Sequence, residues 1–314
     1  WYEVTLDKSG YGYINREEAE ASQKKWFPYN KGGAFRKWYG NNSYVVNWEN
    51  NGYEIKNFRD SKGKVRSRPQ NENYYFKESI TWSFISSAYF GVRYSDAGSL
   101  FDVGGSSAFP GKSESLWLTG LLCSKQVFDF MKVMNPTLNF QVGNVASLPV
   151  IRNKLRDNLV SINTVVKNII EIAREDWDCY ERSWNFKTSP IISSLSKPIF
   201  SLKESYSRWI LKNKIKITEM KQLEEENNLL FINAYDLQDE LTPCVPIEQV
   251  TLTVNPSYRY GGNLTKDDLQ SRFQRDTMVE LLSYATGCMM GRYNLEYPGL
   301  ILADSRESQE AQIS

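Results

Sequence analysis

The spacing of apolar positions changes character near the middle of the chain. Up to residue 150 apolar residues fall in short runs separated by turn chemistry. Tyr44-Val45-Val46-Asn47-Trp48, Tyr74-Tyr75-Phe76, residues 80–85 and Ala88-Tyr89-Phe90 read as strands, punctuated by Asn50-Asn51-Gly52 and residues 61–64. The opening positions Trp1, Tyr2, Val4 and Leu6 are strand-like too. One helix is predicted at 113–134, carried by Leu116, Trp117, Leu121, Val127, Phe128 and Met131 and closed before Asn135-Pro136. From residue 151 the period is helical. Leu155, Leu159, Ile162, Val166, Ile169 and Ala173 predict a helix to about Tyr180. A linker with Ser189-Pro190 and Lys197-Pro198 follows, and then a Ser201/Glu204 capping box opens a second long helix to about Tyr235. A weaker box, Thr265/Asp268, opens a third that Gly287 is expected to stop. These patterns predict an α+β fold: a twisted, β-rich domain over 1–150 and a mainly helical domain over 151–314.

Composition narrows the chemistry by exclusion. Among 314 residues there is no histidine, which removes Ser-His-Asp and Cys-His catalysis and histidine-ligated metals. Cys123, Cys179, Cys244 and Cys288 form no C-x-x-C pair, so reduced thiols and no metal site are expected. The formal net charge of +1 hides a segregation. Residues 24–68 hold eleven basic and three acidic residues, a net +8, whereas 201–314 hold 12 basic and 17 acidic ones. No leader peptide and no apolar run of roughly 18 residues is evident. The expected location is therefore cytoplasmic, and a start without Met suggests a piece of something longer. The sequons at Asn41 and Asn263 are read as chance.

Aromatic residues are abundant (9 Trp, 19 Tyr, 15 Phe), and the basic segment is one of their densest stretches. From Trp26 to Asn42, Lys31, Arg36 and Lys37 alternate with Tyr29, Phe35, Trp38 and Tyr39, and Asn41 follows. Cations neutralise phosphates, Arg and Asn can read base edges, and rings pack on sugars or unstacked bases. Gly32-Gly33 would let backbone N–H groups approach a phosphate. A hairpin with solvated lysines and core rings, or a carbohydrate-stacking surface, uses the same residues. A second basic element with Lys62, Lys64, Arg66 and Arg68 reads either as a mobile loop that follows a nucleic-acid backbone or as a solvated turn. Asp102 to Ser107 contains Gly104-Gly105 but lacks the context of a cofactor loop and reads as a turn. Asn255-Pro256-Ser257-Tyr258 is close to the Asn-Pro-Pro-Tyr motif of amino-methylating DNA methyltransferases, with Ser257 out of pattern; a strand–turn is the competing reading. The acid pairs Asp176/Asp178 and Asp267/Asp268 read as helix-end residues.

Longer runs carry a resemblance. Residues 26–33, 35–41 and 46–50, then 101–107 and 135–143, and finally 283–293 resemble the PglX family, the adenine-specific DNA methyltransferases of type 1 BREX phage-defence systems. The stretch 138–149 also resembles the close of target-recognition domains in related restriction-modification proteins. The resemblance implies the family's C-terminal part: a target-recognition domain at 1–150 and a helical domain at 151–314. The cofactor S-adenosylmethionine and the catalytic motif would then lie upstream, outside this chain. It implies duplex DNA as partner, contacted through Lys31, Arg36, Lys37, Trp38, Tyr39, Asn41, Lys62, Lys64, Arg66 and Arg68. The missing methyltransferase domain and other defence-system proteins would be further partners, and no membrane is implied. A protein-interaction scaffold that docks defence subunits or a phage inhibitor, and the specificity part of a fused restriction-modification enzyme, stay open as alternatives.

Overall fold

The computed structural model describes residues 3–86, 89–135, 137–193 and 201–301. The expectations that fall on Trp1, Tyr2, Ala88, Pro136 and Lys197-Pro198 lie outside them. The chain divides into two compact units, residues 1–163 and 164–314.

The first unit contains α1 (Arg16–Ala21), β1 (Trp26–Asn30), β2 (Tyr44–Asn47), α2 (Glu49–Lys56), β3 (Ser79–Ser83), β4 (Val92–Ser95), β5 (Leu100–Phe101) and β6 (Gly105–Ala108). It continues with α3 (Ser115–Leu122), α4 (Lys125–Met134), α5 (Val142–Ala146), α6 (Arg152–Leu155) and the start of α7 (Leu159–Asp178). Two three-stranded sheets, ordered β2-β1-β5 and β4-β3-β6, make its framework. In the first, β1 pairs antiparallel with β2 and parallel with β5; in the second, β3 pairs antiparallel with both neighbours. The side-chain amide of Asn30 on β1 donates to the Ser95 hydroxyl on β4 (3.0 Å), tying the sheets together. Phe27, Trp48, Tyr75, Phe76 and Leu100 form a core against the first sheet. Every residue of β3 is buried, so its polar members need internal partners. Trp82 Nε1 donates to Phe140 O (2.9 Å), and Ser83 Oγ to Gly33 O (2.9 Å).

The α+β class holds, with less strand than the aromatic runs suggested. Val4 and Leu6 lie in turns and bends, and Tyr89-Phe90 carry no strand. Tyr74 ends a 3-10 turn and Phe76 has φ 67°, so Tyr75 and Phe76 enter the core from irregular backbone. Residues 113–134 form two helices rather than one. Cys123 caps α3, and Ser124 takes an extended backbone as the N-cap of α4.

The second unit contains the rest of α7, then α8 (Pro190–Ser193), α9 (Leu202–Ala234), α10 (Pro256–Tyr260) and α11 (Lys266–Met289). Both capping boxes close with their reciprocal hydrogen bonds at Ser201/Glu204 and Thr265/Asp268. The Trp209 ring of α9 stacks on Phe273 of α11 with centroids 5.4 Å apart. Gly287 does not stop α11. Its bare Cα faces the Tyr293 ring, and a Cβ there would meet Tyr293 Cδ2 at 2.7 Å. The stop comes at Gly291 (φ 76°), where Arg292 N–H returns to Gly287 O (2.8 Å) and Gly291 N–H to Cys288 O (3.2 Å), a Schellman turn. Among the described residues no helix is long and apolar enough to cross a membrane.

Candidate nucleic-acid interface

The two basic segments expected to meet DNA are placed in opposite environments. In the first, the chain leaves β1 and turns inward. Trp38 runs beside β4: its N–H donates to Val92 O (2.7 Å), and Tyr94 N–H donates to Trp38 O (2.8 Å). Arg36, Trp38 and Tyr39 are 2%, 1% and 2% exposed, and Lys37 is 8% exposed. Arg36 Nε donates to Tyr39 O (2.7 Å), while the Tyr39 hydroxyl reaches Asp96 (3.3 Å). Lys37 Nζ sits over the Trp38 ring at 5.9 Å. These four residues are interior parts of the first unit. Asn41 is half-buried with φ 61°, and its amide donates to Ala34 O (2.9 Å), closing its own loop.

Gly32, expected to admit a phosphate, admits the chain itself. A Cβ there would lie 2.3 Å from Gly104 O. Lys31, the segment's half-exposed cation, is paired with Asp102 (2.8 Å). Asp102 Oδ1 also accepts the N–H groups of Gly104 (2.8 Å) and Gly105 (3.2 Å), which makes residues 102–105 the turn joining β5 to β6. Burial pushes the Asp102 carboxyl up, but hydrogen bonds from Lys31 and Tyr29 outweigh it and hold it below the usual carboxylate range. Burial, then the neighbouring Asp102 carboxylate, pushes the Tyr29 phenol up.

The second segment is a tight hairpin turn. Asp60 N–H donates to Lys64 O (3.0 Å) and Gly63 N–H to Asp60 O (2.9 Å). The Asp60 carboxylate accepts the N–H groups of both Lys62 and Lys64 (3.0 Å each), and an antiparallel bridge joins Arg59 to Val65. Backbone thus sets the shape, while Lys62, Lys64, Arg66 and Arg68 are all exposed. Among the described residues none of these four has a carboxylate partner. Elsewhere in residues 24–68, Lys25 pairs with Glu49 and Glu54 (3.7 Å each) and Lys56 with Glu72 (2.8 Å). The uncompensated part of the +8 is therefore concentrated at the hairpin. Asp60, which counts only as a negative charge in the composition, organises it; the Asp-Ser-Lys-Gly spacing of an Asx turn was the available signal.

In the second unit Asn255 is 2% exposed and its side chain is fully engaged locally. Nδ2 donates to Ile247 O (2.7 Å) and Val250 O (2.9 Å), and Oδ1 accepts Ser257 N–H (3.2 Å) as the N-cap of α10. Residues 251–254 are not a strand; Thr253 and Val254 donate their N–H groups to the buried Asp176 carboxylate (2.7 and 3.0 Å). Asp176 is thus an internal anchor of the 251–254 segment.

No protein-family model matches the chain. It is 34% identical over 307 residues to the adenine-specific methyltransferase PglX of Lacticaseibacillus casei (strain Zhang), which covers 96% of the chain and 24% of that relative. It is 35% identical over 293 residues to the adenine-specific methyltransferase BrxX of Escherichia coli O9:H4 (strain HS), covering 92% of the chain and 23% of that relative. The chain spans about a quarter of the length of these curated relatives.

Proposed function

Since the chain is a partial PglX-like sequence, of the family of adenine-specific methyltransferases, we propose that it supplies duplex DNA recognition to such an enzyme. The observation that carries the reading is the hairpin at 59–66 with the residues that follow it. Lys62, Lys64 and Arg66 project from a backbone-fixed turn and Arg68 from the segment after it, all exposed and without a neutralising acid among the described residues, the arrangement that phosphate contact favours. Lys31, neutralised by Asp102, and Asn41, bonded to Ala34 O, belong to the same unit and add no uncompensated charge to the contact. Arg36, Lys37, Trp38 and Tyr39 act as the packed support that holds the sheet edge in place. In the whole enzyme the methyltransferase domain would supply S-adenosylmethionine chemistry, and this piece would choose the site.

The test of site choice is selection from a random duplex pool by the 314-residue chain at moderate salt. Enrichment of one short motif, lost on replacing the four hairpin cations, supports the reading. Binding without enrichment reduces it to backbone contact, and no salt-dependent binding at all refutes it.

A further inference from the structure

Within the first unit a cleft of about 920 Å³ opens beside the basic hairpin. That volume lies within the range of pockets that enclose small organic ligands. One wall is a continuous series of rings. Trp48 meets Tyr75 at 5.1 Å, Tyr75 meets Phe101 at 5.3 Å, Phe101 meets Phe109 at 5.0 Å and Phe109 meets Tyr74 at 4.7 Å between centroids. The aliphatic part of the lining includes Leu118, Val145 and Leu148.

The rim decides what the cleft takes. Of its charged lining residues, Asp102 is already saturated by Lys31, Tyr29 and two backbone N–H groups. Arg68, in contrast, is exposed and has no acid partner among the described residues. Beside it stand Gln70 and Asn71; the Asn71 side chain makes no capping hydrogen bond. The chemistry still open is one cation and a carboxamide among aromatic side chains, of which Tyr74, Phe101 and Phe109 keep exposed surface. A wholly apolar occupant would use the walls and leave that cation to water. A flat heteroaromatic body carrying an anion satisfies both.

We propose that this cleft is a nucleotide-binding site: the base lies against the ring wall, its edge meets Asn71, and its phosphate meets Arg68. Carboxamides pair with base edges, and aromatic rings stack on any base. Two sources present this chemistry. One is a nucleotide displaced from a DNA strand that follows Lys62, Lys64 and Arg66 to Arg68; the other is a free mononucleotide. The site stands whether or not duplex recognition does, because the first probe is a free nucleotide.

The experiment is calorimetric titration of the 314-residue chain with dAMP and with deoxyadenosine. Saturable dAMP binding is expected, weakened about tenfold by Arg68→Ala through loss of a charge-assisted hydrogen bond, with deoxyadenosine binding unchanged. Val145→Trp, which fills the cleft from its aliphatic wall, should abolish both; Ala146→Trp serves if the first variant does not melt like the parent. A duplex with one unpaired nucleotide, compared with a fully paired one, separates the sources. Preference for the unpaired nucleotide that Val145→Trp removes assigns the strand, and binding of dAMP without that preference assigns the free nucleotide. The proposal is overturned if neither probe binds saturably, or if dAMP binding survives both cleft-filling variants in folded protein.

Discussion

Replacing Lys62, Lys64, Arg66 and Arg68 together by alanine separates phosphate contact from mere surface charge. Each contact releases counterions, and log affinity falls with log salt by about 0.9 per phosphate neutralised, so four contacts give a slope of about −3.6. Between about 50 and 200 mM salt the parent chain should lose affinity about 150-fold, and the quadruple variant should show a slope close to zero. The hairpin itself should survive, because its shape rests on the Asp60 carboxylate and backbone hydrogen bonds rather than on those side chains. Arg36→Ala is the opposing control. It removes a 2%-exposed side chain and its hydrogen bond to Tyr39 O, and should cost about 2–4 kcal/mol of stability while leaving the salt slope unchanged. Fluorescence anisotropy across a salt series and urea denaturation give the two readouts. An undiminished slope in the quadruple variant, or a slope lost with Arg36 in folded protein, would refute the assignment.

Four further outcomes follow from the packing. Asp176→Ala orphans the buried N–H groups of Thr253 and Val254 and should cost about 2–5 kcal/mol, read by chemical denaturation; a loss under about 1 kcal/mol would show that water replaces the carboxylate. The Asp102 carboxyl is held below its ordinary range, so its stabilisation is complete above the unfolded value of about 4 and is lost as pH falls through the folded one. Asp102→Asn should accordingly flatten the acid limb of a melting-temperature profile, and an unchanged limb contradicts this. Burial, with Asp176 nearby, pushes the Cys179 thiol up to about 11, so at pH 8 iodoacetamide should label exposed Cys244 well before Cys179, as peptide mass mapping would report. Gly105→Ala would place a Cβ 2.2 Å from Asn30 O, a backbone clash expected to cost about 3 kcal/mol or more; a stability within 1 kcal/mol of the parent would mean that β1 and β6 can separate freely.

What was legible in the sequence was what local chemistry decides. Ser201/Glu204 and Thr265/Asp268 mark their helix starts because a capping box is complete within four residues. The interruption between α3 and α4 escaped because an apolar stripe persists across it; Ser124 as an N-cap was the overlooked sign. Gly287 misled because a glycine can serve a close approach as well as a helix end, and only the position of the Tyr293 ring distinguishes the two. The environments of the two candidate basic segments differ in legibility for a similar reason. Cations interleaved with rings look alike whether they face solvent or a sheet edge. Pairing of Trp38 with β4, more than fifty residues away, turns that segment inward. Among the described residues the Asp60–Lys64 turn has no such long-range partner, so local sequence alone sets the exposure of its cations.

The division of labour inside that hairpin also bears on how such a surface can change. Asp60 and Gly63 hold the turn through main-chain groups, and the outward positions 62, 64, 66 and 68 contribute nothing to its closure through their side chains. Side chains there can be exchanged without refolding cost, whereas a change at Asp60 would dismantle the display. Under the proposed function, side-chain exchange at positions 62, 64 and 66, and at 68 just beyond the turn, would retune the contacts without altering the frame that Asp60 and Gly63 set.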